Sequence, residues 1–132
     1  MAEIISLPLS RSVIVIPASG YYQLSAVQAN ISNPVIIEVD TNEFSVNLLL
    51  PPSTDGQSPL ITIVDIGGNA SGQPIGIYVY GSFSGERPLT ADLINGFTNR
   101  SMNQDGGIAR IQCVTTGFWL ATGTLNEVVA NK

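Results

Sequence analysis

A chain of 132 residues with 44% apolar and 11% charged side chains, a net charge of −5 and no histidine fits one domain of ordinary size. Such a domain buries roughly 68% of its unfolded surface and needs no staples. Average chains carry about 25% charged residues, so this surface is poor in ions, and the favoured reading is that sister copies or a partner cover much of it. A single lysine at the end and four scattered arginines form no basic cluster, which argues against direct nucleic-acid binding and against an anionic membrane.

Along the chain, "MAEIISLPLS" carries an acid and no basic stretch, so it does not read as a secretory signal. No apolar run is long enough to span a membrane as a helix. Synthesis in a reducing cytoplasm is expected, and Cys113, alone in an alternating apolar run, is expected to be a buried thiol. Short runs of Val, Ile, Leu, Thr and aromatics, punctuated by Gly, Pro, Asn and Asp, predict strands at 4–9, 12–16, 21–28, 35–40, 44–50, 60–66, 75–80, 108–115 and 118–122. This pattern points to an all-β fold, a compact antiparallel β-sandwich or β-barrel-like domain covering residues 1–132. "SVIVI" and "LITIVDI" place β-branched residues on both faces, as in strands covered on two sides. "TADLINGF" predicts one helical turn, capped by Thr90 and ended by Gly96. No repeat of fixed period is visible.

The stretch "VDIGGNASGQPIGIYVYG" carries the most pointed question. A phosphate-binding loop needs Lys and Ser or Thr after the glycines at a helix start. Here Pro74 leads into a predicted strand, so the phosphate reading fails. The sequons at Asn30, Asn69 and Asn99 have no weight without a secretory route. What remains is a turn between neighbouring strands, built from Gly67, Gly68, Asn69, Ser71 and Gly72. Asp65 is expected to cap it by accepting backbone N–H bonds, in preference to binding a cation, because calcium wants six or more oxygens.

Catalysis has little support. Without histidine the commonest general base and most transition-metal ligands are missing, and a Ser or Cys nucleophile lacks its usual partner. Carboxylate pairs such as Asp40 with Glu43, or Asp65 with Asp92, have no distinguishing spacing for glycoside hydrolysis. No enzyme activity, cofactor or metal is expected. Tyr78 and Tyr80 share one strand face by the two-residue period, with Ile77 and Val79 on the other. Such a face, with Trp119 further on, suits core or interface packing better than stacking on a sugar.

From Leu48 to Trp119 the chain resembles a β-rich module of tailed-bacteriophage virion proteins, one that occurs in tail fibres, tail spikes and head-decoration proteins. The resemblance is carried by Asp65, Gly68 to Ser71, Pro74, Ile75, Ile77, Ile94, Asn95, Gly96, Gly106, Gly107, Gly117 and Trp119. It covers over half of the chain, and the first 45 residues match nothing in it. The resemblance implies a homotrimer that acts by contact, with a fixed turn at 67–72 and Trp119 as a core anchor. A chain that begins with its own Met and lacks heptads or collagen-like triplets is expected to be a capsid decoration, or cement, protein. It would bind the major capsid protein on the virion surface. Residues 1–20, with Ile4, Ile5, Leu7 and Leu9, are then a candidate arm that adds to a capsid sheet edge, or else an ordinary first hairpin. The alternative role is a short tail-fibre or adhesin module that binds host-surface glycan through its tyrosines.

Overall fold

In the computed structural model, residues 4–8, 12–25, 34–52, 60–80, 92–95, 99–115, 117–123 and 126–127 are described. The alternating apolar runs become strands: β1 (Ile4–Pro8), β2 (Val13–Val15), β3 (Gly20–Ser25), β4 (Val35–Val39), β5 (Val46–Leu49) and β6 (Ile61–Asp65). After these come β7 (Ile75–Tyr78), β8 (Leu93–Ile94), β9 (Asn99–Met102), β10 (Ile108–Thr115), β11 (Phe118–Gly123) and β12 (Asn126–Glu127). They build two six-stranded sheets, the first ordered β1-β3-β5-β7-β9-β12 and the second β2-β4-β6-β10-β11-β8. The protein is all-β, and no helix occurs among the described residues.

Through β7, each strand belongs to the opposite sheet from the one before it. One strand in each sheet makes a coil, and successive coils stack in parallel, β1 on β3, β3 on β5 and β5 on β7 in the first sheet. In the second, β2 lies on β4 and β4 on β6. The chain then turns back: β9 runs antiparallel to β7, and β10 antiparallel to β6 and β11. The antiparallel arrangement expected from the sequence is therefore corrected, since β1 to β7, about the first three-fifths of the chain, form a parallel stack. Alternation fixes which face a residue takes but not the direction of its neighbour. A parallel partner normally needs a long crossover, and here that crossover contains a strand of the other sheet.

Packing explains the alternation. Ile14, Ile37, Ile63 and Ala109 form one inward row across the second sheet, and Tyr22, Leu48 and Ile77 form one across the first. All seven are buried in a single core between the sheets. Burying each large aliphatic side chain stabilises the fold by about 1.5–3 kcal/mol. Ile4, Tyr21, Asn47 and Gly76 occupy equivalent positions in successive coils, so the coils differ in length and leave no fixed period in the sequence.

Two local expectations change. The helical turn predicted over 90–96 is replaced where the chain is described: Leu93–Ile94 is β8, paired in parallel with Phe118 and Trp119, while Thr90 and Gly96 lie outside the described residues. The segment read as an arm supplies the first coil. Five residues of β1 pair with β3, Leu7 packs against the core, Ile14 and Ile16 are buried, and Ile4 and Ile5 are exposed. It is not a hairpin either, because β1 and β2 lie in different sheets. Leu9 lies outside the described residues. Cys113 is a buried free thiol, its pKa raised by burial and by the charge of Asp92.

Candidate functional site

Asp65 is the last residue of β6 and points inward, with only 4% of its surface exposed. A carboxylate at such a place must be satisfied by donors. One oxygen accepts from the Thr41 hydroxyl and from the Gly68 N–H at 2.9 Å. The other accepts from Ala70 N–H at 3.1 Å and Gly106 N–H at 2.9 Å. Two donors on each oxygen fill the acceptor capacity of a carboxylate, so little is left for a cation or a substrate proton. Burial pushes the Asp65 pKa up, but the hydrogen bonds from Thr41, Gly106, Gly68 and Ala70 outweigh it and hold the group below its usual value.

Three turns meet on this carboxylate. Thr41, fully buried, also accepts the Asn69 N–H through its hydroxyl oxygen at 2.8 Å. Asp40 accepts the Asn42 N–H within the first turn. Asp105 reaches from the third turn to accept the Ser71 N–H at 2.9 Å. In the middle turn, the Asn69 carbonyl accepts from Gly72 and Gln73. Gly67 fits only as glycine, because a Cβ there would lie 2.4 Å from the Thr41 nitrogen and 2.5 Å from an Asp40 carboxylate oxygen. Gly68 has φ +72°, in the left-handed region. The glycine loop is thus a turn, but a crossover from one sheet to the other and not a link between neighbouring strands.

Across the second sheet, Asn95 continues the short β8 ladder with its side chain. Its carboxamide donates to the Ala121 carbonyl at 2.7 Å and accepts the Ala121 N–H at 3.0 Å. Its backbone N–H donates to Trp119 at 3.0 Å, and its φ of 49° suits asparagine. Changing Asn95 to Ala is expected to lower the unfolding free energy by about 1–3 kcal/mol, measured by urea denaturation. A change below a few tenths of a kcal/mol would show that the carboxamide does not carry the ladder.

Trp119 is fully buried in the common core, and its Nε1 has no hydrogen-bond partner among the described residues. Tyr78 and Tyr80 are both half-buried, with Ile77 and Val79 buried between and beside them. Tyr78 lies over Gly76, where a Cβ would come within 2.9 Å of its ring. Burial, with a contribution from Tyr21, raises the Tyr78 pKa. Asp65, the glycine turn and Asp105 come together in one place, whereas Tyr78 ends β7 on the outer side of the first sheet and Tyr80, expected on the same strand face, lies in a turn beyond it. Thr41 was not singled out by sequence reasoning, since nothing local marks a threonine that serves a carboxylate 24 positions away.

Among the described residues, no three His, Cys, Asp or Glu side chains are placed to hold a metal ion. No described helix is long and apolar enough to cross a membrane. No protein-family model matches the chain, and no curated protein matches it significantly.

Proposed function

We propose that this chain is a structural protein of a tailed-phage virion, a capsid decoration protein that binds the head shell as a homotrimer and works by contact. The observation that carries the reading is the joining of the residues behind the module resemblance. Asp65, Gly68, Ala70 and Gly106 close one hydrogen-bonded knot, and Asn95 and Trp119 are linked backbone to backbone. Residues spread over about two-fifths of the chain thus serve two scaffold clusters, as the resemblance implies for them. The carboxylate most suited by position to chemistry is fully engaged in holding turns, which favours a contact role over turnover.

Purified protein mixed with expanded empty heads is expected to bind saturably, at a fixed ratio to capsid subunits, and to raise the melting temperature of the shell. Labelling confined to the tail, or no binding to heads, overturns the head assignment. The second reading, a glycan-binding tail module, is favoured by the half-buried Tyr78 beside Tyr21. Glycan-array binding that is lost on Tyr78→Ala would establish it in place of the first.

A further inference from the structure

We infer that the outer face of the second sheet is the surface through which copies of this chain associate, flank against flank around a closed ring. This inference rests on the homotrimer reading above and assigns the surface that performs it. The flank formed by β2 and β4 exposes Val13, Val15 and Ile36, and the flank formed by β10 and β11 exposes Ile108, Phe118 and Leu120. Val15 is 60% exposed and Val13 47%, although β2, β4 and β6 are parallel strands. Parallel sheets occur almost only where both faces are covered, and contiguous exposed apolar area marks an interaction site. The outer face of the first sheet is more polar, with Gln23, Asn47 and Ser101 along it beside Ile4, Tyr21 and Tyr78.

Charge selects the occupant. Glu38 lies on the β4 flank and Arg110 on the β10 flank, with β6 between them. Glu38 is in register with Val64 and Ile108, and Arg110 with Thr62 and Ile36. Glu38 sits between Val15 and Val64, and Arg110 between Thr62 and Thr122, on a face that carries each charge's opposite two strands away. A second copy supplies what each flank lacks: the acidic flank of one copy meets the basic flank of the next, and the apolar rows close around the pair. Such a contact is head-to-tail, and it closes into a ring when the rotation permits. Three copies place β6, with Thr62 and Val64, toward the common axis.

The test is a charge swap, followed by sedimentation and light scattering across nanomolar to micromolar concentrations. Wild type is expected to be trimeric, and Glu38→Arg or Arg110→Glu alone should weaken association at least about thirtyfold. The double variant E38R/R110E should recover trimer. Circular dichroism and thermal melting of each variant confirm folding, and Val15→Glu, at an exposed site, should also dissociate the assembly. A wild-type trimer untouched by the single substitutions, or a double variant no better than the singles, overturns the face assignment alone. A wild-type monomer throughout overturns the trimer reading, and this inference with it.

Discussion

Replacing Asp65 by Ala is expected to lower the unfolding free energy by about 4 kcal/mol, a large share of the 5–15 kcal/mol available to a typical domain. The substitution strands the Thr41 hydroxyl and three backbone N–H groups that now converge on the carboxylate. Hydrogen bonds to a charged group contribute about 1.5–3 kcal/mol each, and part of that returns when water reaches the exposed Gly68 and Gly106. Asp65→Asn keeps the shape but turns an NH2 toward two donors, so it should cost about half as much. Urea denaturation reads both values, and a loss under about 1 kcal/mol for Asp65→Ala would refute the knot as a source of stability.

The same group sets a pH dependence. Its folded pKa is lowered, so the unfolded state binds the proton more readily and stability rises with pH through the window. The contribution is complete above the unfolded value, near 3.8. It is lost as pH falls below that value and through the lower folded one. Wild type should therefore lose stability on acidification more steeply than Asp65→Asn, whose residue 65 does not titrate. Parallel curves for the two proteins between pH 5 and about 2 would contradict this assignment.

Trp119→Ala is the second large effect, expected at about 3–5 kcal/mol because it removes the largest fully buried side chain and leaves a cavity between the sheets. Trp119→Phe should cost much less. It retains most of the apolar volume and deletes an indole N–H that lacks a partner among the described residues. Guanidinium unfolding separates the two substitutions. Equal losses would mean that the indole nitrogen, and not the buried volume, matters at this site.

Much of the fold was legible because strands announce themselves by alternation. Every run predicted as a strand overlaps one of β1–β7, β10 or β11. Strand direction was not legible, since "SVIVI" reads the same whether its partner runs with it or against it. β8 is only two residues long, and β9 has the sequence Asn-Arg-Ser-Met, with no apolar alternation; both are strands through their partners and not through propensity. The candidate site divides in the same way. Asp65 at the end of an apolar run beside glycines signals a loop cap, whereas Thr41 joins it because β4 stacks on β6, and Gly106 because the returning β10 runs antiparallel to β6.

The knot also has a place in the life of the chain during synthesis. Gly106 follows Asp65 by 41 residues, so the carboxylate leaves the ribosome with Thr41 already made and its last donor still to be translated. Throughout that interval the carboxylate has Thr41, Gly68 and Ala70 to engage but not its fourth donor. Only when the returning segment arrives does the final amide engage, making the C-terminal third the bolt that secures everything translated before it.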